Sequence, residues 1–225
     1  MLLDLLLSIV SPHLCKGCGV VGSGLCECCK NDITSEKWGN CLLCNGFSTT
    51  SNLCRNCRKN RLFADIFVVG ESSGALKNLV YDFKFNSERG HARVLAELLD
   101  ETLPILPNEV VVVPIPTIPK HIRQRGFGHT ELVAKKLASL RGLKYAQNIL
   151  IRADNSVQHG LKAKQRFMAA AKTFKIHRTK NLPEKILLVD DVYTTGATVK
   201  AAAKLLKAAG IKTIYLAIIA RHNNK

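Results

Sequence analysis

The stretch ILLVDDVYTTGATV, residues 186–199, decides the fold. Four apolar residues, Ile186 to Val189, run without a polar break into a carboxylate pair, Asp190 and Asp191. A short apolar run of this kind reads as a strand buried on both faces. Thr194, Thr195 and Gly196 then form a turn, and TTGATVKAAAKLLKAAG reads as a helix that stops at Gly210. IKTIYLAIIA follows as another strand. A strand, a helix and a second buried strand in this order form a parallel crossover unit.

Working outward, EVVVVPIP (109–116) is a β-branched run of the same buried type, and ADIFVVGES (64–72) reads as a strand leading into the helical GALKNLVYDFKF. HARVLAELLDETL (91–103) has helical spacing and ends before Pro104. A helix is expected from about 129 to 141, and Gln165 to Phe174 also looks helical. The segment TIPKHIRQRGFGH, with Lys120, Arg123 and Arg125, reads as a basic loop. The expected fold class is therefore α/β with a mostly parallel sheet.

The turn after the carboxylates carries the chemistry. A helix N-terminus offers unpaired N–H groups and a partial positive charge, which suit a phosphate. Thr194, Thr195 and Thr198 add hydroxyl donors, while Gly196 and Ala197 keep the approach to the backbone open. Asp190 and Asp191 can hold vicinal hydroxyls of a sugar. Together these groups describe a 5-phosphorylated ribose. A magnesium site of nucleotide-hydrolysing type is disfavoured, because the chain has no GxxxxGK[ST] loop. A simple helix cap needs one such residue, not three threonines behind a carboxylate pair.

All nine cysteines lie between positions 15 and 57. They form CKGC (Cys15, Cys18), CECC (Cys26, Cys29), CLLC (Cys41, Cys44) and CRNC (Cys54, Cys57), with Cys28 left over. Each CxxC turns two thiolates towards one ion, and two such knuckles complete the four-sulfur shell zinc favours. Sequential pairing gives two sites, and crossed pairing of the knuckles satisfies the same spacing. The expected division is a double zinc ribbon over residues 1–62 and an α/β domain over 63–225, with the two zinc ions as structural staples. On that division a Cys18→Ser change is expected to unfold the ribbon and leave the large domain standing.

Lys and Arg number 33 against 17 Asp and Glu, a net charge of +16. Residues 63–225 hold 26 of the basic and 13 of the acidic residues, so the excess belongs to the large domain. Such a charge fits a phosphorylated ligand or a polyanion. No run of 18 apolar residues exists, so no membrane span is expected. MLLDLLLSIV carries Asp4 where a signal peptide carries Lys or Arg. A cytoplasmic location is expected.

VDDVYTTGAT resembles the PRPP-binding motif of type I phosphoribosyltransferases (PRPP is phosphoribosyl pyrophosphate). Joined to the CxxC pairs, DFKF around Lys84, VVVPIP at 111–116, RGF at 125–127 and Gln158, it resembles the ComF family, whose ComFC members act in natural transformation. The chain departs from the family's RGFNQ at Gly128 and His129, and offers Ala169 where an asparagine is usual.

The resemblance implies that Asp190 and Asp191 hold the ribose hydroxyls and that residues 194–198 hold the 5-phosphate. It implies a pyrophosphate, neutralised by magnesium, near Pro114 to Thr117, with Arg123 and Arg125 as catalytic residues on a closing loop. It also implies PRPP and single-stranded DNA as partners, along with other competence proteins. For nucleic acid, Arg123, Arg125, Phe127, Lys162, Lys164 and Arg166 are the expected contacts, Phe127 as the stacking ring. Read from the residues themselves, Phe83 and Phe85 belong to the core, and His129, a lone histidine beside a basic loop, is a solvated surface residue. A nucleobase salvage transferase with no role in DNA uptake is the alternative, and it needs neither two ribbons nor so large a charge.

Overall fold

The structure is a computed structural model and describes residues 14–35, 39–48, 51–86, 88–152, 173–177 and 181–222. Two short helices belong to the cysteine-rich part: α1 (Glu27–Thr34) and α2 (Arg55–Lys59). The large part runs β1 (Asp65–Glu71), α3 (Gly74–Phe85), α4 (His91–Thr102), β2 (Val111–Pro114), α5 (Pro119–Arg125) and α6 (His129–Arg141). It continues through β3 (Lys144–Tyr145), β4 (Leu150–Arg152), β5 (Phe174–Ile176), β6 (Lys185–Tyr193), α7 (Ala197–Ala208) and β7 (Thr213–Arg221).

Five strands form one sheet in the order β1-β7-β6-β2-β3, and every pairing in it is parallel. β4 and β5 pair antiparallel in a separate two-stranded sheet. The α/β class read from the apolar runs is therefore the observed one. β6 is buried from Ile186 to Asp191, as an unbroken apolar run requires when helices cover both faces. Alternate residues feed two apolar clusters. Leu187, Val189, Ala217 and Ile219 join α3, α4 and α6 on one face. Ile186, Leu188, Leu216 and Ile218 join α7 on the other.

The segment expected to be a loop at 117–129 contains a helix instead. Pro119 supplies the fixed φ that suits a first turn, and Gly126, at φ 77°, ends α5 in the left-handed conformation. The helix expected over Gln165 to Phe174 lies outside the described residues up to 172, and Phe174 itself sits on β5.

The ribbons pack on opposite faces of the sheet. Cys15 and Leu25 belong to the cluster with α3 and α4, whereas Cys41, Leu53 and Phe63 belong to the one with α7. The half-buried ion pair Lys16–Asp82 (2.7 Å) and the more exposed Arg58–Asp65 (3.1 Å) orient the seating, and the buried leucines carry most of the attachment.

Candidate functional site

From β2 the chain moves outward to β3, and from β6 it moves outward to β7. The crevice between the C-terminal ends of β2 and β6 is thus the switch point of the sheet, where open α/β folds place ligands. A cleft of about 260 Å³ opens there, lined by Lys84, Thr117, Arg125, His129, Arg152, Asp190, Asp191 and Thr198 among others. The carboxylate pair, one of the threonines and one of the loop arginines therefore meet in one place. Arg123 is exposed on α5 and does not line this cleft.

The two aspartates are chemically unlike. Asp191 Oδ2 lies 2.8 Å from Lys84 Nζ and also pairs with His129 Nε2. Burial alone would raise its pKa, but the His129 hydrogen bond and the Lys84 ammonium hold the carboxyl well below the usual range. Burial, and then the Asp191 charge, push the Asp190 carboxyl up to about 8. Asp190 has a weaker local partner, the Asp191 N–H, which donates to its Oδ1 at 2.9 Å. Near neutral pH the pair carries one negative charge, on Asp191.

A sign follows for stability. Asp190 keeps a proton in the folded state that an unfolded carboxyl releases near pH 4, so its contribution declines as pH rises from about 4 to about 8. Asp191 contributes above its unfolded pKa and loses that contribution as pH falls below about 4. Asp190→Asn, which mimics the protonated form and has no proton to release on unfolding, should come nearest wild type in thermal melts near pH 4 and exceed it by a growing margin up to pH 8. A gap that does not change with pH would contradict the assignment.

His129 is buried, with 8% of its surface exposed, rather than solvated as its basic surroundings suggest. Arg125 Nη1 lies 3.2 Å from His129 Nδ1, and the other ring nitrogen, Nε2, pairs with Asp191. Beside it, Glu131 closes the turn after β2. The Thr117 backbone N–H donates to Glu131 Oε1 at 2.8 Å, and the Thr117 hydroxyl to Oε2 at 2.6 Å. A Cβ on Gly128 would sit 2.3 Å from Glu131 Oε2, so any side chain there displaces this carboxylate.

Lys84, His129, Glu131 and Arg152 are site residues that residue-by-residue reading misses. Lys84 had a signal in DFKF, whereas Arg152, held by Pro116 O at 2.8 Å and stacked on Phe174, had none.

Gly196, at φ 72°, caps α7 and gives residues 194–198 their tight turn. Thr194, Thr195, Ala197 and Thr198 are exposed at this helix N-terminus. Thr198 faces the carboxylate cleft, while Thr194 and Thr195 border a second hollow of about 280 Å³ shared with Cys41 to Asn45, Arg221 and His222.

The cysteines gather sequentially. Cys15, Cys18, Cys26 and Cys29 form one group and Cys41, Cys44, Cys54 and Cys57 the other, each with sulfurs within 4.8 Å of one another. Cys18–Cys26 at 3.6 Å and Cys44–Cys54 at 3.7 Å match the spacing of about 3.8 Å in a tetrahedron with ~2.3 Å zinc–sulfur bonds. Burial resists ionisation of Cys15 and Cys41, yet backbone N–H groups aimed at the sulfurs bring these thiols down to about 6 and about 7. Both shells therefore fit zinc in donor type and geometry, and Cys28 stays outside them, exposed.

Of the expected nucleic-acid contacts, Lys162, Lys164 and Arg166 lie outside the described residues. The Phe127 ring packs against buried Phe83 at 5.5 Å beneath the Arg89 guanidinium, and so is engaged with the core. Phe85 and Tyr81, 4.9 Å apart on α3, are exposed instead, with Arg125 over Phe85 at 5.0 Å, while exposed Phe47 lies in the second cysteine group.

Comparison with known proteins agrees with this geometry. The Phosphoribosyl transferase domain family matches residues 86–225. The chain is 30% identical to Competence protein F of Haemophilus influenzae over 92% of its own length and 95% of that protein. It is 29% identical to Competence protein ComFC of Streptococcus pneumoniae over 84% of each chain. DNA utilization protein YhgH of Salmonella typhi is 27% identical over 88% of this chain and 97% of that protein. Among the described residues no helix is long and apolar enough to cross a membrane.

Proposed function

Since this chain belongs to the phosphoribosyl transferase domain family, in its ComF branch, we propose that it binds PRPP with magnesium in the β2–β6 cleft and handles single-stranded DNA during uptake. The observation that carries the reading is the carboxylate pair at the switch point, within one turn of a glycine-opened helix N-terminus. Asp191 is charged and held by Lys84 and His129, so it is ready to accept from a ribose hydroxyl. Asp190, protonated in the free protein, can donate as well as accept. The N–H groups at the start of α7 face a 5-phosphate.

Bound magnesium would neutralise the pyrophosphate leaving group. The groups this chain itself brings there are Arg125 and Arg152, both lining the cleft. Positive charge beside the leaving group favours breaking the anomeric bond, and the Asp191 carboxylate faces the cation-like sugar that results.

The DNA part rests on charge and on exposed rings. The large domain's +13 supplies phosphate contacts, and Tyr81, Phe85 and the Arg125 guanidinium supply stacking faces at the cleft mouth. The relatives' names, competence and DNA utilization, support the same process.

Calorimetric titration of the whole chain with Mg-PRPP, with and without a single-stranded oligonucleotide, tests both halves. Binding of Mg-PRPP is expected, and absence of heat at millimolar ligand would end the pocket reading. Oligonucleotide affinity is expected to fall with salt at a log–log slope of about −0.7 per phosphate contacted. Phe85→Ala should weaken a thymidine oligomer about tenfold and an abasic one much less, since a stacked base is worth roughly 1–3 kcal/mol. Equal loss on both oligomers would remove the stacking role.

A further inference from the structure

The second zinc knuckle touches the flanks of the turn assigned to phosphate. Leu42 and Leu43 lie between the ligands Cys41 and Cys44. Tyr193, the last residue of β6, donates its hydroxyl to the Leu42 carbonyl at 2.8 Å. Lys200, in the first turn of α7, donates from Nζ to the Leu43 carbonyl at 3.3 Å. These two residues bracket residues 194–198 on either side. The turn also lies directly on the tyrosine: a Cβ on Gly196 would sit 2.3 Å from the Tyr193 hydroxyl oxygen and 2.5 Å from its ring. Tyr193 is buried, and Cys41 shares its apolar cluster.

The direction of the Leu42 and Leu43 carbonyls is set by the bite of Cys41 and Cys44 on one ion. With the ion gone, the two sulfurs have no common partner, and the carbonyls are free to turn away from Tyr193 and Lys200. The knuckle of the first ribbon meets α3 instead, through Lys16 on Asp82 and Gly17 against Ala75.

We propose that the zinc shell of Cys41, Cys44, Cys54 and Cys57 sets the conformation of the 194–198 turn through Tyr193 and Lys200, so that zinc and a phosphorylated sugar stabilise each other's binding. Tyr193 and Lys200 are positioning residues in this scheme, since neither has to touch the ligand. The coupling rests on the reading of 194–198 as the phosphate turn, but its mechanical half, zinc shell to tyrosine, does not. Coupling between two sites is reciprocal, so a ligand that orders the turn slows loss of one zinc ion and leaves the other alone. The first shell is a built-in control.

The experiment follows zinc release from the whole, zinc-loaded protein into a colorimetric chelator, with and without saturating Mg-PRPP, for wild type and Tyr193→Phe. Two release phases are expected. Mg-PRPP should slow one of them roughly fivefold, about the worth of one net hydrogen bond. Tyr193→Phe, which removes only the hydroxyl oxygen, should speed the same phase by a similar factor without ligand, and should weaken Mg-PRPP severalfold by calorimetry. Both phases slowing alike, or neither slowing while calorimetry reports bound Mg-PRPP, overturns the coupling. If calorimetry shows no binding to wild type, the phosphate reading fails, and the tyrosine arm decides alone. Unchanged zinc loss in Tyr193→Phe then overturns the link.

Discussion

Asp191→Asn is expected to lower affinity for Mg-PRPP by about a hundredfold or more while both zinc ions stay bound. Two charge-assisted hydrogen bonds to a sugar diol, each worth about 1.5–3 kcal/mol, disappear with the carboxylate. The change also leaves Lys84 facing a neutral amide in a buried site. Breaking a buried charged pair costs about 3–5 kcal/mol, so the variant should melt earlier as well. Asp190→Asn should do less harm to binding, because Asp190 is already protonated in the free protein near neutral pH. Replacing both should abolish binding with the sheet intact. The measurement is calorimetry beside a thermal melt. A folded Asp191→Asn that binds Mg-PRPP at wild-type strength would show that the sugar does not sit on this pair.

Removing zinc should be the most damaging perturbation to the whole protein. Metal analysis is expected to return two ions per chain, and one or none would refute the double shell. A structural zinc ion contributes on the order of 10 kcal/mol, comparable to the entire stability of an ordinary domain. Cys41→Ser strikes a residue with 1% of its surface exposed, in the apolar cluster that also holds Val113, Leu188 and Tyr193. Its melting temperature should fall by more than about 10 °C, since 1 kcal/mol moves a domain of this size by about 2–4 °C. Cys18→Ser strikes an exposed ligand. The independence expected from the cysteine-free stretch after residue 57 does not extend to packing: loss of the first shell loosens Cys15 and Leu25 from Leu95 and Phe83, and the melt should move too. A fragment beginning at residue 63 would expose these surfaces, so DNA binding is best measured on the whole chain.

The sheet and the carboxylate turn were legible because their signals are local. Buried parallel strands spell themselves as apolar runs, and a glycine behind threonines marks a helix start. β3, β4 and β5 were not legible, since strands of two or three residues are too short to show a period. The α5 helix was hidden by its charge: Lys120, Arg123 and Arg125 read as a loop, although Pro119 and Gly126 are helix-end residues. The roles of Lys84, His129 and Arg152 depend on elements far apart in the chain meeting at the C-terminal ends of β2 and β6, and no spacing rule reports that. Phe85 and Phe127 exchanged places for the same reason. Which of two aromatic residues faces the core is settled by the partner it meets, here Phe83 beneath Phe127.

The place of β1 bears on how the nascent chain matures. Its pairing within the sheet is with β7 alone, Asp65 opposite Tyr215, so the edge cannot close until residues 213–221 have been made. At ribosomal speed that leaves a delay on the order of ten seconds during which an apolar strand, with Ile66, Phe67, Val68 and Val69, has no strand partner. Both cysteine shells precede β1 in the chain and can load metal first. In the folded chain they lie against its two faces, and Asn52 and Arg58 hold the carbonyls of Ile66 and Ala64, contacts whose residues are all made before β7. The ribbons would then serve as a tethered chaperone for the strand that waits longest, guarding it from the edge-to-edge aggregation that unpaired strands invite.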